Sequence, residues 1–336
     1  MKSQVVIGLW LAALPAAFGQ SVKLSAAGAT FPYPIYSKWF NEFEKLHSGT
    51  EINYQSIGSG GGIRQLTEGT VDFGASDKPL SNEQAAKMKT KALHFPTVLG
   101  AVVPTYNVPG VSTDLHFSGD VLASIFLGKI TKWNDPALVK LNPKVKLPAD
   151  DIVVVHRSDG SGTTFVFADY LAKVSPAWKA KITPDTSVNW ATGIGAKGNE
   201  GVAGMVRQTP HSIGYVELIY AIQNKMSYGL VKNASGAFIK ADLASVTAAA
   251  AGAAGAMPDD FRVSITDAPG AKAYPISTFT WLLIPAHFDN PAKKKAVTDF
   301  LAWMLTKGQS YTQALGYAPL PAQVVAKETK AIALIK

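Results

Sequence analysis

The chain of 336 residues contains no cysteine. That absence excludes thiolate metal sites, cysteine nucleophiles, disulfides and a lipid attached through an N-terminal cysteine. Charged residues make up only 17%, and although the formal net charge is +8, Lys and Arg never form a run of four or more. A nucleic-acid surface shows itself as clustered basic residues, so nucleic acid is not an expected partner. Past the N-terminal segment, no apolar stretch approaches the roughly 20 residues that a spanning helix needs. The six histidines have no paired ligand spacing, so neither metal nor cofactor is expected. The chain also lacks a G-x-x-x-x-G-K-[ST] phosphate loop, and Ser59 and Ser161 lack the flanking glycine pair of a nucleophile elbow.

What is present begins with Lys2, an apolar stretch from Val5 to Phe18, and Ala17-Phe18-Gly19 with small residues where a signal peptidase reads. Residues 1–19 are expected to be a cleaved signal peptide and the mature protein to be exported, with a formal charge of +7. Beyond the leader, short runs rich in Val, Ile and aromatics read as strands: 52–55, 71–74, 98–106, 152–155, 213–216 and 278–284. Ile35, Tyr36, Trp39, Phe40 and Phe43 share one helical face, and Ser81 with Gln84 resembles a capping box. Strand and helix in alternation imply an α/β architecture with a largely buried sheet. The alanine-dominated stretch 244–256 is compatible with helix or loop.

Three loops share one form, glycine with Ser or Thr immediately ahead of a helix-like stretch: Ala27 to Pro32, Gly58-Ser59-Gly60-Gly61-Gly62, and Asp159-Gly160-Ser161-Gly162-Thr163-Thr164. The first turn of a helix has backbone N–H groups without intrahelical partners and a partial positive charge, so it can hold an anion. Glycine lets the backbone approach closely, and Thr30, Ser59, Ser161 and Thr163 add hydroxyl donors. Any one such loop is an ordinary helix cap. Three in one exported α/β chain point to a site for a tetrahedral oxyanion. Gly193 to Gly198 matches G-x-G-x-x-G, but Val188-Asn189-Trp190 before it is a poor strand, so a turn is expected there. His156 could serve Ser161 as a base, but its place at a strand end beside Arg157 suggests a structural role.

Gly28-Ala29-Thr30-Phe31-Pro32, Ile57-Gly58-Ser59-Gly60-Gly61-Gly62, Val71 to Asp77 and Arg157 to Thr163 follow one another in a distinctive order and spacing. Leu127 to Trp133, Gly198-Asn199-Glu200-Gly201 and Ile213 to Glu217 accompany them. From about residue 24 to about residue 325 this pattern resembles the periplasmic phosphate-binding proteins of the phosphate-specific ABC transporter. One departure is Gly60, where members of that family often carry a second serine.

The resemblance implies an α/β two-lobe periplasmic-binding-protein fold of type II, a venus flytrap with two crossing hinge strands. Residues 20–101 and 274–336 would form lobe I and residues 102–273 lobe II, with crossings near 102–108 and 274–280. It also implies a phosphate site made of Thr30, Phe31 through its backbone N–H, Ser59, Asp77, Arg157, Ser161, Gly162 and Thr163. Arg157 can fork two donors onto phosphate oxygens and can pair with Asp77. Phosphate near neutral pH still has a proton to donate to a carboxylate such as Asp77, and sulfate has none. The expectation is a monomeric, non-enzymatic phosphate receptor in the periplasm that delivers its ligand to membrane permease subunits. Two alternatives stay open: a receptor for sulfate or molybdate in the same fold, and a secreted phosphomonoesterase using Ser59 or Ser161.

Overall fold

The computed structural model describes residues 21–255 and 257–336, so the expected signal peptide, residues 1–19, lies outside the described residues. The first elements repeat one unit, a strand ending in a glycine-bearing turn that opens a helix. Strand β1 (Val22–Gly28) leads to helix α1 (Tyr33–Leu46), and β2 (Thr50–Ser56) leads to α2 (Ser59–Glu68). Strand β3 (Phe73–Ser76) ends one residue before Asp77. Both α1 and α2 are amphipathic: α1 buries Ile35, Tyr36, Trp39, Phe40 and Phe43, the face expected from their spacing, and Trp39 Nε1 donates to the Gly308 carbonyl at 2.7 Å.

Strand β1 has no counterpart among the expected strands. Its Lys-Leu-Ser-Ala-Ala core has little of the β-branched and aromatic content that marks a strand. It forms because it lies parallel between β2 and β3, where small buried side chains let α1 and α2 pack closely on the sheet. Gly62 of α2 sits so near Ala27 and Gly28 that a Cβ there would lie 2.5 Å from Gly28 Cα.

Strand β4 (Ala92–Asn107) is 16 residues long and joins two halves of the molecule. Residues 92–101 run antiparallel to the late strand Ser277–Pro285, and residues 102–107 run antiparallel to Ser212–Glu217. In the chain between β4 and Ser212–Glu217 lie β5 (Val153–Arg157), leading into α3 (Gly162–Val174), and β6 (Ile194–Ala196), leading into α4 (Gly198–Gln208). Numbering Ser212–Glu217 as β7 and Ser277–Pro285 as β8, the strand order is β2-β1-β3-β8-β4-β7-β5-β6. Ser227–Tyr228 also pairs with β4, giving nine strands in the sheet among the described residues. Two parallel triplets, β2-β1-β3 and β7-β5-β6, thus flank an antiparallel centre. In parallel sheets, ligands bind beyond the carboxyl ends of the strands, and here those ends in both triplets carry the loops singled out above.

One further detail differs from expectation. The 193–198 segment is a short strand and a helix start rather than a turn, because β6 pairs with β5 over Val155 to Arg157. Pairing with an already formed neighbour stabilises three residues that local propensity does not. The alanine-rich stretch is helical, Leu243–Ala254, and the Ser81 capping box is present, with Gln84 N–H donating to Ser81 Oγ at 3.1 Å. No helix among the described residues is long and apolar enough to cross a membrane.

Candidate functional site

The loops after β1, β2, β3 and β5 converge, and every candidate residue is buried: Thr30, Phe31, Ser59, Asp77, Arg157, Ser161, Gly162 and Thr163. Contact between the halves is direct. Gly60 N–H donates to the Gly160 carbonyl at 2.8 Å, and Tyr220 Oη donates to the Thr30 carbonyl at 2.6 Å. Gly162 lies against the Ser59 hydroxyl and the Asp77 carboxylate so closely that a Cβ would overlap both. Gly60 is explained by the same contact, since a Cβ on it would sit 3.0 Å from Gly160 Cα. Smallness on both loops lets the halves meet.

The hydroxyls share one polarity. Ser59 Oγ accepts from Asp77 N–H at 3.2 Å, and Ser161 Oγ accepts from Thr164 N–H at 3.0 Å. Thr30 Oγ1 and Thr163 Oγ1 accept from the Asn199 side-chain amide at 2.8 and 3.1 Å. An oxygen that accepts in this way keeps its O–H hydrogen for another acceptor. Gly162 and Thr163 add first-turn N–H groups of α3, which have no i−4 partner. The result is a cluster of neutral donors at helix starts, suited to an anion that brings its own acceptor oxygens.

Charge enters through three groups. Arg157 does not pair with Asp77, as the sequence allowed, but forks onto Asp159: Nε to Oδ1 at 2.7 Å and Nη2 to Oδ2 at 2.5 Å. The reason is local, because the chain turns after β5 and brings the carboxylate two residues on back beneath the guanidinium. Burial alone would raise the Asp159 carboxyl, but the two hydrogen bonds and the charge of Arg157 outweigh it and hold it below the ordinary value. Asp159 Oδ1 also accepts from Gly198 N–H at 3.1 Å, the first residue of α4. Two of the five guanidinium N–H groups are thereby engaged and Nη1 lies 3.5 Å from Thr163 Oγ1, fixing the plane of the remaining donors.

Asp77 is 1% exposed, and its Oδ1 accepts from Thr280 Oγ1 at 2.7 Å. Burial pushes its carboxyl up to about 7, against the Thr280 hydrogen bond and the positive charge of Arg157. Oδ2 faces Gly162, so the donor cluster contains one acceptor. His156 has no part in this arrangement: its ring stacks on Trp190 with centroids 4.9 Å apart, and its Nδ1 lies 3.0 Å from the Arg157 carbonyl. Ser161 is engaged as a helix cap.

Sequence reasoning missed Asp159, Thr280 and Tyr220. Asp159 could have been found from the Arg-x-Asp spacing at a strand end. Thr280 and Tyr220 had no local signal, since they reach the site only through the pairing of β8 and β7 with β4. Asn199 stood in a recognised motif without an assigned role. No group of three or more His, Cys, Asp or Glu that could hold a metal ion occurs among the described residues.

The sequence profile of the PBP superfamily domain matches residues 15–307. Together with two α/β halves joined through a shared strand and meeting over helix-start loops, that match defines the class as the two-lobe periplasmic-binding-protein fold. Within it, the chain is 48% identical over 307 residues to the phosphate-binding protein PstS of Xylella fastidiosa, covering 91% of this chain and 84% of that one. It is 46% identical over 326 residues to the PstS of Haemophilus influenzae, covering 97% and 96%. The chain belongs to the PstS family of phosphate-binding proteins. Among solved structures, a high affinity periplasmic phosphate-binding protein bound with phosphate superposes with a TM-score of 0.75 at 21% identity, covering 92% of this chain and 93% of that one. A phosphate-binding protein from Stenotrophomonas maltophilia gives 0.71 at 20% identity, covering 93% and 94%. At these identities the superpositions speak for the fold.

Proposed function

We propose that the protein captures inorganic phosphate between its two lobes, in the periplasm, and releases it to the membrane subunits of an ABC permease without chemical change. Lobe I comprises residues 20–101 and 274–336 and lobe II residues 102–273. The change of partner along β4, from β8 before Val102 to β7 from Val102 onward, supports that division. Thr30, Phe31 N–H, Ser59, Arg157, Ser161, Gly162 and Thr163 donate to the phosphate oxygens, and Asp77 accepts from the phosphate hydroxyl. The protein acts as a monomer and is exported by its leader.

The observation that carries this proposal is the single carboxylate oxygen, Asp77 Oδ2, facing a cluster otherwise made of donors. Any tetrahedral oxyanion satisfies the donors. Only one that brings a proton also satisfies the acceptor, whichever of the two oxygens that proton sits nearer. The net positive charge, +7 once the leader is removed, aids encounter with an anion but does not choose among anions.

Calorimetric titration of protein stripped of bound anion tests the proposal, with an expected phosphate Kd of about 1 μM or tighter, equivalent to at least about 8 kcal/mol. In parallel, no turnover of a chromogenic phosphomonoester is expected, because Ser161 caps α3 and His156 is stacked on Trp190. Millimolar phosphate binding, or turnover abolished by Ser59→Ala or Ser161→Ala, would overturn it.

A further inference from the structure

Asn199 stands in the first turn of α4, is fully buried and hydrogen-bonds two threonines of the proposed anion shell. Its side-chain oxygen accepts from Glu217 N–H at 2.9 Å. A backbone N–H can only donate, so this bond settles which end of the amide is which. The nitrogen is thereby turned toward the site, where its two hydrogens go to Thr30 Oγ1 at 2.8 Å and Thr163 Oγ1 at 3.1 Å. Asn199 N–H adds a second bond to Thr30 Oγ1 at 3.3 Å. The three partners lie on three different parts of the fold: Thr30 after β1, Thr163 in α3 and Glu217 at the end of β7.

A threonine hydroxyl can present either its hydrogen or a lone pair. Facing an anion, only the hydrogen is favourable, and a freely rotating hydroxyl must be ordered when the anion binds. On the footing of phosphate binding, we propose that Asn199 is a positioning residue that fixes the polarity of two anion-binding hydroxyls. By donating to both oxygens, its amide commits the Thr30 and Thr163 hydrogens to the ligand before the ligand arrives. Glu217 N–H holds the amide in the one orientation that does this. The Asn199 backbone N–H to Thr30 Oγ1 at 3.3 Å and Arg157 Nη1 to Thr163 Oγ1 at 3.5 Å act in the same sense but over longer distances than the amide bonds, whereas Ser59 and Ser161 take their polarity from backbone N–H groups.

A double-mutant cycle on phosphate binding separates this role from simple packing. Asn199→Ala is expected to weaken phosphate binding by roughly 10–100-fold, the scale of one to two lost hydrogen bonds to a charged group. Thr163→Val removes the hydroxyl and keeps the shape, and both residues lie between β4 and β7 in the chain, so their pairing is independent of how the halves close. In the Thr163→Val background, Asn199→Ala is expected to cost at least threefold less than in the wild type. Asn199→Asp keeps the volume and the bond from Glu217 N–H but accepts where the amide donates, and it serves the same cycle if the alanine variant does not fold. A wild-type protein that binds phosphate together with an Asn199→Ala variant within twofold of it would overturn the assignment, as would an equal penalty in both backgrounds. A wild-type protein that does not bind phosphate would instead overturn the proposed function.

Discussion

Replacing Asp77 with Asn is expected to open the site to sulfate. In the wild type, a sulfate oxygen would face Asp77 Oδ2 with no proton between them, a like-charge contact in a site where Asp77 is 1% exposed. Sites that require a donated hydrogen bond reject analogues lacking it by roughly 10⁴–10⁵, and Asp77→Asn is expected to cut that ratio by at least about 100-fold. Asn can turn its amide hydrogens toward sulfate and its oxygen toward phosphate, so most of the change falls on sulfate. The direction of the pH effect follows from the carboxyl's position near 7. Below that value Asp77 is a neutral acid whose O–H donates to sulfate, and above it the carboxylate repels. Sulfate affinity of the wild type therefore rises as pH falls from about 8 to about 6, whereas Asp77→Asn stays flat over the same interval. Competition calorimetry at both pH values reads this directly. Sulfate exclusion in Asp77→Asn equal to that of the wild type would contradict it.

Removing the guanidinium should weaken phosphate itself. Arg157 is 3% exposed and is the one cationic side chain among the proposed phosphate ligands. Its loss in Arg157→Met takes away forked, charge-assisted bonds and leaves Asp159 unpaired beside the anion. Truncating one partner of a buried, hydrogen-bonded charge pair costs about 2–5 kcal/mol or more, so phosphate affinity is expected to fall by roughly 10³-fold. Asp159→Asn on top of Arg157→Met removes the stranded charge and is expected to recover about tenfold of the loss. Arg157→Lys rescues poorly, since an ammonium cannot fork onto both Asp159 oxygens while donating to the ligand. Binding by Arg157→Met within tenfold of the wild type would show that the helix-start donors suffice without it.

The site was more legible than the strands that carry it. Loops that approach an anion need glycine for backbone clearance and hydroxyls for donors, and those types stand together in the chain at Thr30, Ser59 and Ser161 to Thr163. Strand β1 was hidden because a strand buried between two others needs small side chains where helices pack close, and Ser-Ala-Ala has no strand signature. Strand β6 was hidden because three residues are held by pairing with β5. The Arg157 partner was misplaced for a different reason. Two acids, Asp77 and Asp159, were available, and the turn after β5, a feature of tertiary geometry, decides between them. Asn199 had no readable role because its meaning depends on the orientation of one amide, set by a backbone N–H 18 residues away.

The most direct test of the account is phosphate titration of stripped wild-type protein at about pH 8 in the presence of sulfate at about 1000-fold excess over phosphate. The account predicts a phosphate isotherm unchanged by the sulfate, because the Asp77 carboxylate admits only an oxyanion that brings a proton. An isotherm shifted by sulfate as far as equal affinity for the two anions requires would contradict it.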